Sequence, residues 1–403
     1  MSSVEDSFDI PFEEIDALLQ ANPDDLNVIK VGIYFASKRN RPDLLSAYSS
    51  RFNAQLEKAR NLLNSGQFNE TIQLCHTILA AFPDHPHTLY ILGLATWYNG
   101  DLQGAEGFLR QAATLIGMAD PTAVSFYLNA MLHLGKVFEG QEIARSILGQ
   151  DRLVLNYLEM DIAYACNLHC TACHHYSNYT SKGNVDFQLG SQWLRDWAQR
   201  IYPCMFRIVG GEPALNPQLC DYIQLVAELW PQSKRSLVSN GFFLHRHPDI
   251  YTTLAKTGTA LHISLHDYPN GEEKDADMVT IQQKCNELGI FLAFYRGKKE
   301  DFSRTYQGEG MNMRPYRDGD AEASWKACVA RCPTIHRGLL WKCPPLAFLD
   351  LIEDRFKLRQ NPEWVPYLDH KGLSLDASDE EILSYLYFSI PECDMCPSTP
   401  QPV

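Results

Sequence analysis

What this sequence lacks narrows it first. No apolar run approaches the ~20 residues that a membrane-spanning helix needs. The opening residues, MSSVEDSFDIPFEEID, are acidic where an export signal is basic and then apolar. A cytoplasmic protein with no membrane partner is expected. Positive charge is also scarce: 35 Lys and Arg stand against 49 Asp and Glu, a net charge of -14. A protein that grips phosphates usually carries a basic face, so nucleic acid is a disfavoured partner. With 45% apolar residues over 403 positions the chain can bury full cores, and its length suggests two or three domains.

Cysteine is what the sequence has, at 12 positions. Without an export signal these are poorly explained as a disulfide framework. Cys75, Cys204, Cys220 and Cys285 stand singly in helical or strand-like patterns and read as small buried apolar residues. The others cluster. Cys166, Cys170 and Cys173 stand at CxxxCxxC spacing inside DIAYACNLHCTACHHY. Cys328, Cys332 and Cys343 lie in CVARCPTIHRGLLWKC, and Cys393 and Cys396 form a late CxxC. Thiolates are soft ligands suited to iron-sulfur clusters, and three on one loop leave one iron position open for a small molecule. His174 and His175 adjoin the third cysteine, where a hydrogen bond to a cluster or its ligand and a purely structural role are both open.

Before the first cluster the pattern is helical, and it repeats. A shift of 34 superposes Gly66-Gln67-Phe68 on Gly100-Asp101-Leu102, Ala59 on Gly93, Thr71 on Ala105 and Ile78 on Ala112. A third copy, shifted by 35, runs through Gly135, Val137, Gly140 and Ala144. That period, with small residues where helices cross, is the tetratricopeptide (TPR) signature. Residues 11–50 are helical too but match the repeat poorly, as an atypical cap does. Such an array either offers a surface to a protein or peptide partner or serves as a packing module.

After Gln150 the pattern alternates. Strands are predicted over 153–160, 205–209, 235–238, 260–265 and 290–294, with helices over 191–201, 218–229, 248–256 and 275–288. Strands alternating with helices imply a parallel sheet, whose chemistry gathers at the C-terminal strand ends. The first end carries the cysteine triad. The second carries Gly210-Gly211-Glu212-Pro213, the third Ser239-Asn240-Gly241, the fourth Ser264-Leu265-His266 and the fifth Tyr295-Arg296. Read alone, Ser239-Asn240 is a turn and His266 an ordinary loop histidine.

Together, the CxxxCxxC loop, the GGEP segment 37 positions after Cys173 and the SNG segment resemble the radical S-adenosylmethionine (radical SAM) superfamily. The resemblance runs from about residue 153 to 397. It implies a partial (β/α)6 TIM-type barrel and a 4Fe-4S cluster on Cys166, Cys170 and Cys173. It also implies S-adenosylmethionine held around Ala172, Gly210, Gly211, Glu212, Pro213, Ser239, Asn240 and Ser264. Such an enzyme needs a reductant such as ferredoxin or flavodoxin.

The spacing CX9GX4C from Cys328 through Gly338 to Cys343, followed by the late CxxC, resembles the Twitch extension, a short form of the SPASM domain. It implies an auxiliary 4Fe-4S cluster on Cys328, Cys343, Cys393 and Cys396, with Cys332 as a possible replacement for Cys328 and a structural zinc as the competing reading. The chain ends seven residues after Cys396, which argues against a second auxiliary cluster. The expected domains are a helical repeat over 1–150, a barrel over 151–315 and a small iron-sulfur domain over 316–403. His266, Tyr295, Arg296 and Arg314 are the candidates for catalysis at loop ends. The resemblance points to oxidation, dehydration or epimerisation of a sugar, sugar nucleotide or polyol. The alternatives are radical modification of a peptide recruited by the repeats, and a TPR interaction protein with a degenerate barrel.

Overall fold

The computed structural model describes residues 10–180, 183–266, 272–297 and 303–401, with the side chains of 265–266, 272–277 and 296–297 outside that description. The chain divides into two compact units, Met1–Ala119 with Phe126–Lys136, and Asp120–Ser125 with Val137–Val403.

The first unit is helical: α1 (Phe12–Ala21), α2 (Leu26–Lys38), α3 (Pro42–Asn64), α4 (Phe68–Ala81), α5 (Pro86–Tyr98) and α6 (Leu102–Ile116), with most of α7 (Thr122–His133). The repeat read from the sequence has a backbone counterpart. Gly66, Gly100 and Gly135 all have positive φ, and in each case the next residue donates its N–H five positions back, Gln67 to Leu62, Asp101 to Thr96 and Lys136 to Met131. This is the Schellman closure, in which a left-handed glycine lets the last carbonyls of a helix find donors. Asn40 adopts the same conformation, and Arg41 bonds to Ala36, so the turn between α2 and α3 closes in the same way. Where α5 crosses α6, a Cβ on Gly93 would stand 2.7 Å from Leu109 Cγ, which is why the repeat demands a small residue there.

The second unit is α/β. Its seven-stranded sheet comprises β1 (Leu153–Ala163), β2 (Ile201–Gly210), β3 (Lys234–Ser239), β4 (Ala260–His266), β5 (Leu292–Gly297), β6 (Thr334–His336) and β7 (Leu339–Trp341). The order is β5-β4-β3-β2-β1-β6-β7, parallel except for the β6–β7 hairpin. Helices α9 (Phe187–Ala198), α10 (Leu219–Leu229), α11 (Ile250–Thr257) and α12 (Glu272–Leu288) connect the first five strands. From β1 to β5 consecutive strands lie side by side with no reversal of order, the connectivity of a partial barrel rather than of a doubly wound sheet.

One expectation changes here. A sixth barrel strand was expected to follow β5, but among the described residues the sixth parallel strand is β6. It comes from the C-terminal segment and pairs on the far side of β1, Glu159 with Thr334. The short hairpin turn at Arg337 (φ 50) and Gly338 (φ 79) suits a two-residue connection, and Trp197 donates to the Gly338 carbonyl at 3.0 Å.

Helix α8 (Val137–Leu148), read from the sequence as part of the third repeat, lies in the second unit. The Gln141 amide donates to the Val154 carbonyl at 2.6 Å and accepts its N–H at 3.1 Å, satisfying the backbone near the start of β1, far from the point where β6 pairs with it. Beyond β7 follow α14 (Pro344–Ala347), α15 (Asp350–Phe356), α16 (Val365–Asp369) and α17 (Asp379–Tyr387). With Trp341, Phe348, Trp364 and Met395, the segments α14, α15 and α16 form an aromatic core that also takes in Tyr176 of the cysteine loop. No described helix is long and apolar enough to cross a membrane.

The helical unit carries a pH-sensitive cap. His85 Nδ1 stands 3.3 Å from the Thr88 N–H it accepts at the start of α5. Burial, then the neighbouring charges of His87 and Arg60, pull its pKa from 6.5 to about 4. Protonation is therefore easier in the unfolded chain, so this stability is present above pH 6.5 and is lost as pH falls toward 4. Unfolding followed by circular dichroism between those values should show it, and His85→Asn, which keeps a capping oxygen, should flatten the slope.

Candidate functional site

The cysteine loop leaves the end of β1 and is held from below by backbone. Gly211 N–H donates to the Ala163 carbonyl at 2.7 Å, and Glu212 N–H donates to Ala165 at 2.9 Å. A Cβ on Gly210 would stand 2.4 Å from the Ala163 oxygen, and one on Gly211 would stand 2.3 Å from the Ala165 oxygen. The glycine pair is thus required by the loop itself, whatever ligand comes to rest above it.

Glu212 is fully buried and both of its carboxylate oxygens accept hydrogen bonds from this chain. Oε1 accepts from the Ala214 N–H at 2.9 Å and the Ser239 hydroxyl at 2.7 Å, and Oε2 accepts from the Asn240 N–H at 2.7 Å. It therefore ties the end of β2 to the end of β3. Asn240 continues the tie, its side-chain amide donating to Asn167 Oδ1 at 2.8 Å and lying 3.9 Å from Cys166 Sγ.

Above this framework lies a cavity of about 240 Å³. Cys166, Cys170 and Cys173 line it together with Gly210, Gly211, Ser239, Asn240 and Ser264, so four strand ends meet there. Ser177 Oγ and Asn178 Oδ1, of two further lining residues, are buried without a hydrogen-bond partner, which leaves polar atoms for a ligand to satisfy. Burial pushes the Cys166 thiol up to about 12, so a cation at the site is what would make it a thiolate.

Other expected residues fall elsewhere. Ala172, Glu212 and Pro213 are buried and, among the described residues, do not line the cavity. Tyr295 is half exposed, and Arg314 is exposed. The backbones of His266 and Arg296 sit on β4 and β5, paired with Gly297 and Leu265, but their side chains lie outside the described residues.

The second thiol set also converges. Cys328 ends α13 (Ala321–Ala327), Cys343 follows β7, and Cys393 and Cys396 flank a tight turn in which the Cys396 N–H donates to the Cys393 carbonyl at 3.2 Å. These four line one small cavity with Trp325 and Lys342. Cys332 does not line it, and its thiol feels the Glu159 and Arg207 charges before those of the other cysteines. Burial raises all four lining thiols.

Among the described residues the only three His, Cys, Asp or Glu donor atoms within 4.8 Å of one another belong to Glu159, Asp161 and His175. One tetrahedral zinc holds its sulfurs about 3.8 Å apart. Among the described residues neither thiol set has three sulfurs within 4.8 Å of one another.

Sequence reasoning missed a charged row inside the sheet. Thr334, Glu159, Arg207 and Ser236 stand side by side across β6, β1, β2 and β3, with Tyr157 and Asp161 on the same face of β1. Burial pushes Glu159 up to about 7. Burial alone would discharge His175, but Asp161, accepting at 2.8 Å, outweighs it and pushes the imidazole up to about 10. The two carboxylates thus already face two cations, His175 and Arg207. The signal was available as Tyr157, Glu159 and Asp161 at period two in an otherwise apolar strand.

No family model matches the chain. Among solved structures it is similar to BtrN in complex with AdoMet and 2-DOIA, at TM-score 0.32 and 14% identity, over 57% of this chain and 87% of that one. It is also similar to Streptococcus suis SuiB bound to precursor peptide SuiA, at 0.30 and 13%, over 66% and 79%. SuiB bound to S-adenosylmethionine follows at 0.24 and 12%, over 52% and 56%. At these scores and identities the likeness bears no weight on what this chain binds.

Two substitutions test the framework. Gly211→Ala should displace the cysteine loop and lower stability by about 1–3 kcal/mol, read as a lower urea midpoint with reduced metal uptake. Glu212→Gln places an amide NH₂ against a backbone N–H and should cost about 1–3 kcal/mol in the same assay.

Proposed function

We propose that this chain is a radical SAM enzyme with two iron-sulfur clusters. The observation that carries the reading is the convergence of three loop thiols with the ends of β2, β3 and β4 on one cavity holding unsatisfied polar atoms. Cys166, Cys170 and Cys173 would hold the first 4Fe-4S cluster. Gly210, Gly211, Ser239, Asn240 and Ser264 would surround S-adenosylmethionine. When bound and reduced, this pair supplies a 5'-deoxyadenosyl radical that removes a hydrogen atom from a substrate.

The chain's own part is to orient and to exclude. The Leu168 N–H stands 3.4 Å from Cys166 Sγ and the Asn240 amide approaches the same sulfur, so both favour its thiolate form. Glu212, having spent its oxygens on Ser239, Asn240 and Ala214, fixes the walls rather than reaching for the cofactor's ammonium. Ser177 and Asn178 offer it polar atoms instead. Cys328, Cys343, Cys393 and Cys396 would hold the auxiliary 4Fe-4S cluster in a Twitch-like extension, a reading supported by their shared cavity.

The sugar, sugar-nucleotide or polyol substrate is carried by the sequence resemblance, and the polar row of Glu159, Arg207 and Thr334 in the sheet interior is compatible with hydroxyl groups. Modification of a peptide is the second reading. It is favoured by the regular closure of the helical hairpins, since TPR-like arrays usually present a binding surface. A ferredoxin or flavodoxin would supply the electron, in the cytoplasm.

Anaerobic reconstitution should load about eight irons per chain. Reduction with S-adenosylmethionine present should release 5'-deoxyadenosine, and Cys170→Ala should abolish that release. About four irons with one zinc would remove the auxiliary cluster, and release by Cys170→Ala would remove the triad assignment.

A further inference from the structure

One buried charge is unused by this reading. Lys342 lies between β7 and Cys343 and is 2% exposed. Its Nζ donates to the carbonyls of Tyr385, Leu386 and Phe388 at 2.7, 3.2 and 2.6 Å, and sits 3.7 Å from the centre of the Trp325 ring. Three acceptors require three N–H donors, which an ammonium has and a neutral amine lacks. The geometry therefore describes a buried cation.

Its partners are all neutral: carbonyls at the C-terminal end of α17 and an aromatic face. Both attract a cation, but neither cancels its charge. Burying an uncompensated charge is costly. The cavity it lines is the one with Cys328, Cys343, Cys393 and Cys396. A second cation lies close by, the Arg331 guanidinium, 4.5 Å from the centre of the Trp325 ring and bonded to the Trp325 and Lys326 carbonyls. Glu392 is the acidic residue lining the cavity, and its carboxylate lies 3.4 Å from His370.

We infer that Lys342, seconded by Arg331, is the built-in counter-cation of the four-thiolate site and raises the reduction potential of the cluster held there. This rests on the reading that the four thiols hold a 4Fe-4S cluster. Four thiolates around such a cluster leave it with a net negative charge that grows by one on reduction. A nearby buried cation therefore stabilises the reduced state more than the oxidised one. Lys342 also pins the end of α17, whose chain continues to Cys393, so charge and ligand position are set by one side chain. It is a positioning residue: it touches neither substrate nor the first cavity. The consequence is a cluster poised to accept an electron, which an oxidation needs and an electron-neutral epimerisation does not.

The test is a redox titration of the full reconstituted chain, followed by electron paramagnetic resonance, for wild type, Lys342→Met and Lys342→Arg. Lys342→Met should keep the wild-type iron count and shift the auxiliary signal to lower potential. Lys342→Arg should restore it, and the cluster on Cys166, Cys170 and Cys173 should titrate unchanged in all three. Should Lys342→Met fail to load, Arg331→Gln, which leaves the α17 cap intact, must show the shift in the same direction. An unshifted auxiliary potential in the variant that loads overturns the inference. Only four irons in the wild type would instead overturn the cluster reading beneath it, a result distinguishable because no second signal would appear.

Discussion

The fold of the second unit depends on how it accommodates the Glu212 carboxylate. A fully buried anion is tolerated only when hydrogen-bond donors replace the water it has lost. Those donors come from the Ala214 and Asn240 backbone and from the Ser239 hydroxyl, which lie on two different strand ends. The same short segment sends the N–H groups of Gly211 and Glu212 under the cysteine loop. One side chain and two glycines therefore fix the mutual position of β1, β2 and β3 at their C-terminal ends. The cavity is shaped before any ligand arrives, and the cost of organising it falls on folding rather than on binding.

The two thiol sites share more than chemistry. Tyr176 of the cysteine loop packs in the same aromatic core as Trp341, Phe348 and Met395, and Cys343 and Cys396 pack against that core. Its hydroxyl donates to the Pro345 carbonyl at 3.2 Å, close to Cys343 in sequence. The β6–β7 hairpin, which leads directly to Cys343, adds itself to the main sheet beside β1. The C-terminal segment is thus built into the barrel's edge instead of hanging from it. Both sites have a cation, the half-buried His175 imidazole beside donors from Leu168 and Asn240 at the first and the buried Lys342 ammonium with the Arg331 guanidinium at the second.

Much of this was legible in the residues. Gly66, Gly100 and Gly135 announced the helical turns because a left-handed C-cap tolerates little else. The triad, GGEP and SNG segments fell at strand ends because each follows a β-type run. The role of Glu212 was not legible, since a carboxylate that binds a ligand and one that binds backbone look the same in sequence. The partners of Glu159 and Asp161 were equally hidden: period two shows that they share a face, but not that Arg207 and Thr334 flank them.

The sequence by itself determined the thiol inventory, the alternation of strands and helices and the repeat of helical turns, because spacing, periodicity and glycine conformation are local properties. Only the tertiary structure decided that β6 joins the far side of β1, since strand partners are chosen by long-range pairing that no local pattern encodes. It also decided that Cys328 and not Cys332 lines the cavity with the other three thiols. Four positions separate those two cysteines, and the chain's turn after α13 sends one toward Lys342 and the other toward Glu159 and Arg207.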